Sequence, residues 1–387
     1  MIEQRISAFA DELLALRHDF HAHPELCFQE FRTSGIVARE LWALGFEVAQ
    51  GVAGTGVVGT IRNGKGNRAI AIRADMDALP FVEETNLPHA SKTPGVMHAC
   101  GHDGHTAMLL GLAKYLARHK DFDGTVHLVF QPAEEDISGA HRMIAEGLFE
   151  RFPVDSVFAL HNLPGVPVGE VRVRPGAITA AVDIIDITVR GIAGHGALPH
   201  LAADSVVAAS AIVMALQTAI SRINDALDPA VLTVGSIHGG TLATAIPETV
   251  TMKTGLRTTS KASREKLLQR IPEIIHGQAA SFGCKAELDY GDCIIYPVGI
   301  NDVTATEGVR QVAIDLGQDM SQVDLRGPLM FSEDFAFMLE KVPGCYFGIG
   351  NGQTKSLHDT GYDFNDALLV PGTAFWARLV EKVLPLQ

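Results

Sequence analysis

Three short aliphatic runs constrain this chain more than any other feature: AIAIRA (69–74), TVHLVF (125–130) and SVFAL (156–160). Each has the length of a strand and lacks polar alternation, as strands covered on both faces do. CYFGIG (345–350) reads as a fourth. Between the first two, a helix is expected over about 103–118. There Met108, Leu112 and Leu116 share one face with Leu109 flanking, a stripe that packs on a sheet. The fold class that follows is α/β, built on a mixed sheet.

The middle third has a different rhythm. VDIIDITVRG (182–191) alternates like a half-exposed strand, and a long apolar helix follows over 204–221. Strand-like runs come next around 231–237 and 248–257, then a charged helix over 261–278 and a strand within 285–296. Two strand–helix–strand units of this kind make a smaller α+β domain of ferredoxin-like type, with its own antiparallel sheet. The expected division is a catalytic domain over 1–181 and 297–387, interrupted by an insert over 182–296. Pro297 suits the second junction, because proline ends strand pairing. A length of 387 residues also favours two domains over one.

Composition excludes some classes. Acidic residues outnumber basic ones by 45 to 31 and no basic run stands out, so nucleic acid is not an expected partner. The N-terminal pattern Ile6, Phe9, Leu13, Leu16, Phe20 is an amphipathic helix whose charges rule out a signal peptide. No apolar stretch is read as spanning a bilayer, so no membrane partner is expected. Five sparsely placed cysteines fit reduced thiols in the cytoplasm better than a disulfide framework.

The chemistry collects where α/β sheets bind ligands, beyond the carboxyl ends of strands. Asp75 and Asp77 follow AIAIRA; Glu134, Glu135 and Asp136 follow TVHLVF; His161 follows SVFAL; His358 lies beyond CYFGIG. HACGHDGH (98–105) opens the helix between the first two strands. Singly, each has a plain structural reading: a hydrogen-bonded histidine, a solvated acidic turn, a small buried cysteine, a helix-capping aspartate. Their convergence from several segments on one sheet edge points to a metal site. Thiolate, imidazole and carboxylate together suit zinc, manganese, nickel or cobalt rather than magnesium or calcium. The number of donors exceeds what one tetrahedral ion needs and points to two ions, which at about 3.5–4 Å apart share a water and polarise a carbonyl. Such a site also needs a carboxylate free to move a proton, and the adjacent Glu134 and Glu135 provide one of each kind.

Taken together, HPELCFQEFRTS (23–34), RADMDALP (73–80), MHACGHDGHTAMLLG (97–111), FQPAEED (130–136), LHNLPGVPVGEVRVRPG (160–176), GHGALPH (194–200), FSEDFAF (331–337) and LHDTGYDFND (357–366) resemble the M20 metallopeptidase family. The resemblance is to its branch of N-acyl-amino-acid amidohydrolases, which includes hippurate and auxin-conjugate hydrolases. It implies that Cys100, His102, Glu135, His161 and His358 ligate two divalent ions, manganese, zinc, nickel or cobalt. Glu134 would be the general base and later the acid. Asp77 would orient a ligand, while His98, Asp103 and His105 would stand behind the ligands or support the helix start. The insert would serve as lid and dimerisation domain, with His195 reaching a neighbouring subunit's site to steady the oxyanion. Arg257 would take the substrate's α-carboxylate, and Thr244 occupies another substrate-binding place. The implied activity is cleavage of the amide of a small N-acyl amino acid by a homodimer or higher homo-oligomer.

The chain departs from the family pattern at three places. Thr244 and Glu248 replace an Asn and an Asp, Phe331 replaces a Gly, and Asp359–Thr360 replaces Asn-Pro. All five implied ligands and both glutamates are kept. The rival readings are a dipeptidase or aminopeptidase of the same family, and a non-catalytic homologue that binds an acylated ligand.

Overall fold

The computed structural model describes residues 2–135, 139–291 and 296–386. The chain groups into two units. The first comprises Met1–Ile178, Gly299–Gly327 and Asp334–Gln387; the second comprises Thr179–Val298 and Pro328–Glu333.

The first unit holds a seven-stranded mixed sheet. Its strands run, in spatial order, Glu47–Val52, Gly56–Asn63, Gly124–Gln131, Ala69–Asp75, Ser156–Leu163, Gly344–Gly350 and Val171–Arg172. The four aliphatic runs form the parallel centre. Antiparallel strands at both margins extend it. The Glu47–Val52 and Gly56–Asn63 hairpin was not visible in the sequence, where glycines break the aliphatic pattern. Every position of Gly124–Gln131 is buried, as a strand covered on both faces requires.

The helix expected near 103–118 spans His102–Arg118, with Met108, Leu109, Leu112 and Leu116 in the core. The N-terminal stripe folds as two helices, Ile2–Ser7 and Ala10–Ala22, with Ile6, Phe9, Leu13 and Phe20 in the same core. The fold class is as expected.

The second unit carries a four-stranded antiparallel sheet in the order Ala230–His238, Thr249–Thr258, Ala181–Arg190, Lys285–Asp289. Numbered along the chain this order is 2-3-1-4, and helices Ser205–Thr218 and Lys261–Ser281 supply the two crossovers of a ferredoxin-like unit. The last strand stops at Asp289, and Cys293 lies outside the described residues. The segment Pro328–Glu333 belongs here: Ala180 N–H donates to the Phe331 carbonyl at 3.0 Å, and Arg257 Nη1 donates to Ser332 Oγ at 3.0 Å.

The helical stretch Ser205–Ile223 is, by length and composition alone, long and apolar enough to cross a membrane. It is interrupted only by Ser, Gln, Thr and one Arg, which leave its average apolar character intact. Ala208, Ala209, Ile212, Leu216 and Ala219 pack into the unit's own core, as one face of a sheet-covering helix does. Cys27, Cys100, Cys284 and Cys345 form no disulfide with one another.

Candidate metal centre

Parallel register carries the chemistry to one edge. Asp75 pairs with Gln131 and Arg73 with Ala159, so Asp75 and Asp77, the 132–135 turn and His161 all emerge beyond the same strand ends. The helix that brings His102 starts from Gly101, whose φ of +94° is left-handed. A Cβ there would lie 2.5 Å from Asn162 Oδ1, so only glycine lets Cys100 and His102 flank so tight a turn. Two non-glycine residues of the candidate site share that strained conformation, Ala133 at φ +52° and His358 at +64°. Each is held by its surroundings. Ala133 N–H donates to Glu30 Oε1 at 2.9 Å, and His358 N–H to the Ala99 carbonyl at 2.8 Å.

The candidate ligands converge. The donor atoms of Cys100, His102 and His161 lie within 4.8 Å of one another, and so do those of Cys100, Glu135 and His358. Cys100 belongs to both groups. His161 Nε2 stands 3.4 Å from Cys100 Sγ, and His358 Nε2 stands 3.3 Å from Glu135 Oε1. Glu134, buried, joins His102 and Glu135 in a third group. Asp136 lies outside the described residues.

Hydrogen bonds set which ring nitrogen faces inward. His102 Nδ1 donates to the Asp77 carbonyl at 2.9 Å and His161 Nδ1 to the Asn162 carbonyl at 2.9 Å. Each therefore leaves Nε2 as the nitrogen available to ligate. His102 Nε2, Glu135 Oε1 and Asp77 Oδ1 are buried without a hydrogen-bond partner. Buried polar atoms of this kind are costly unless something else satisfies them.

Charge asks for a cation. Burial pulls the His102 pKa down, but Asp75, Asp77 and Glu135 outweigh it and raise it to about 10. Burial, then Glu135, Glu134 and Asp75, push the Cys100 thiol well up. Burial, helped by His105, holds His161 neutral, the form that ligates. Without a metal, the surplus of carboxylate charge thus keeps protons on Cys100 and His102. A divalent ion would replace them, and this sulfur, nitrogen and oxygen set suits a borderline-soft one.

Around the candidate ligands stand residues that the sequence reading named as support, and others it missed. His105 lies between Asp75 Oδ1 and Asn162 Oδ1, 2.6 Å from each. Asp77 Oδ2 accepts the Glu135 N–H at 2.9 Å and the Cys27 thiol at 3.2 Å. Asp103 Oδ2 meets Arg17 Nε at 3.0 Å and His21 Nδ1 at 2.8 Å. His98 is buried and its pKa falls to about 4, chiefly through burial. The missed residues are Arg17, His21, Glu30 and Arg73. Arg73 is buried between Asp75 Oδ2 at 2.7 Å and Asp334 Oδ1 at 3.0 Å. Glu30 Oε2 accepts from Thr55 Oγ1 at 2.5 Å and thereby braces the turn before Glu134.

The remaining expected residues lie in the second unit. His195 is exposed on a two-residue strand paired with Ala245, and its Nδ1 accepts the Ala197 N–H at 3.0 Å. Its Nε2 therefore carries the proton. Thr244 is exposed, and its carbonyl accepts the Gly196 N–H at 2.8 Å. Arg257, half-buried, donates through Nη1 to Ser332 Oγ and to the Met330 carbonyl.

The chain is similar to known proteins over nearly its whole length. The chain is 40% identical to a hippurate hydrolase of Campylobacter jejuni over 374 residues, covering 96% of this chain and 97% of that one. It is 38% identical to an IAA-amino acid hydrolase of Arabidopsis thaliana over 385 residues, covering 97% and 87%. A Bacillus subtilis crystal structure described as a dinuclear metal-binding peptidase of the M20 family superposes with a TM-score of 0.84 at 33% identity, covering 98% of this chain and 99% of that one. The model of peptidase family M20/M25/M40 matches residues 71–382. With the family's model spanning most of its length, the chain belongs to peptidase family M20/M25/M40.

Proposed function

We propose that this chain is a metal-dependent amidohydrolase that cleaves the amide bond of N-acyl amino acids, using two divalent ions. The observation that carries the reading is the pair of donor groups sharing Cys100: His102 and His161 on one side, Glu135 and His358 on the other. The names of its relatives, hippurate hydrolase and IAA-amino acid hydrolase, support the substrate class. Cys100, His102, Glu135, His161 and His358 would hold the ions, which would supply Lewis acidity toward the scissile carbonyl and a water.

The chain's own residues supply the rest. Glu134, buried beside His102 and Glu135, takes the water's proton and hands it to the departing amine. His195 of a neighbouring copy offers its Nε2–H to the carbonyl oxygen as negative charge builds there. Arg257 holds the substrate's α-carboxylate, and Thr244 lines the same subsite. The first unit acts as the catalytic domain and the second as lid and dimerisation domain. Exposed Val206, Val207 and Met214 on the Ser205–Thr218 helix, with the edge strand Ala230–His238, offer a second copy an apolar face. Four cysteines with no disulfide among them fit a reducing compartment, the cytoplasm.

The test is Glu134→Gln. It is expected to retain metal at the wild-type ratio while turnover of benzoyl- and acetyl-amino acids falls by about 10²–10⁴. Wild-type turnover in that variant would remove the assignment. A panel that includes aminoacyl substrates separates this activity from a dipeptidase, and release from none of the panel would leave the non-catalytic reading.

A further inference from the structure

Arg17, on the Ala10–Ala22 helix, is fully buried, and its guanidinium gathers three carboxylates. Nε lies 3.0 Å from Asp103 Oδ2, Nη2 pairs with Asp363, and Nη1 lies 3.3 Å from Asp366 Oδ1. His21 Nδ1 and His89 Nε2 stand 3.4 and 2.9 Å from the same group, and the Phe364 ring covers it at 5.9 Å. A buried guanidinium survives only with such compensation, and its planar fork fixes where each carboxylate sits.

Those carboxylates come from two separate segments of the metal centre. Asp103 follows His102 directly; Asp363 and Asp366 close the loop that begins at His358. Neutral contacts also join the segments. Asn162 Nδ2 donates to the Tyr362 hydroxyl at 2.6 Å, and Phe364 packs where Gly104 has no side chain. The charged tie, among the described residues, runs through Arg17. His358 needs such an anchor, because its side chain is 49% exposed and its backbone is left-handed.

We propose that Arg17 is a positioning residue of the metal centre. It draws the His102 helix start and the His358 loop onto one guanidinium, and so sets the affinity of the ion held by Cys100, Glu135 and His358. This rests on the two-ion reading above.

The test titrates metal-stripped full-length protein with Co2+, followed by calorimetry and visible absorption. Wild type is expected to take two ions, and His358→Ala to lose one. Arg17→Lys, which keeps the charge but not the fork, and Asp363→Asn should each bind the first ion as wild type does. Each should bind the second roughly tenfold or more weakly, and excess Co2+ should restore its occupancy. In the His358→Ala background, Arg17→Lys should leave the remaining ion unchanged. A general structural role would instead weaken both ions together. The assignment is overturned if both variants bind two ions like wild type, if they lose both ions equally, or if part-exposed Asp363→Asn fails to fold. If wild type takes one ion, or His358→Ala keeps two, the two-ion reading itself fails and takes Arg17 with it.

Discussion

The backbone N–H of Glu135 donates to Asp77 Oδ2 at 2.9 Å, tying the turn after one strand to the turn after its neighbour. The other oxygen of that carboxylate stands 3.3 Å from His102 Nδ1. One buried side chain therefore orients two candidate ligands that lie in separate segments.

Asp77→Ala should release both. Divalent metal is expected to bind about 10–100-fold more weakly, measured by titrating metal-stripped protein. Unchanged affinity would show that Glu135 and His102 are positioned by their own segments.

Metal uptake should release protons. In the metal-free protein the carboxylates hold His102 protonated up to about pH 10 and keep Cys100 a thiol. Both groups must give up a proton to ligate, so affinity rises with pH near neutrality. Calorimetric titrations in buffers of different ionisation enthalpy measure the number released, and Cys100→Ser should lower it. Heats independent of the buffer would contradict the charge balance described here.

Glu30 predicts a pH dependence of folding. Burial, aided by the Asp77 charge, raises its pKa from 4.5 to about 7, against hydrogen bonds from Thr55 and the Ala133 backbone that favour the anion. Between those values the folded chain holds a proton that the unfolded chain has lost. The contribution is therefore complete below pH 4.5 and is lost as pH rises through 7. It amounts to roughly 3 kcal/mol at most. Glu30→Gln should flatten this part of the stability profile, read as thermal midpoints from pH 5 to 8. A profile identical to wild type would place the titration elsewhere.

Much of the site is legible in the strand ends. AIAIRA, TVHLVF and SVFAL are buried strands because their aliphatic residues do not alternate with polar ones, and parallel strands present their carboxyl ends together. The glycine between Cys100 and His102 marks a turn that opens a helix. The resemblance to M20 blocks then distributes roles among donors that local pattern alone leaves equivalent. Relatives aligned over nearly the whole chain agree with that family and substrate class.

The supporting residues were hidden for a physical reason. Arg17 sits in the N-terminal apolar stripe, four residues after Leu13 and three before Phe20. Arginine on an amphipathic helix is ordinarily read as part of its solvated face. That it is buried depends on Asp103, Asp363 and Asp366, brought to it from segments 86 or more residues away. Glu30 and Arg73 are alike in part: each is a buried charge or acid with partners from distant chain, Thr55 and Ala133 for Glu30 and Asp334 for Arg73.

The sequence alone determined the layered α/β plan and the donor types at the strand ends, since both follow from local periodicity and side-chain chemistry. Tertiary structure decided the strand order, the sharing of Cys100 between two donor groups, and the buried ionic frame around them. Those depend on which distant carboxylate meets which cation, and a buried charge is stable only where the fold has already placed its partner.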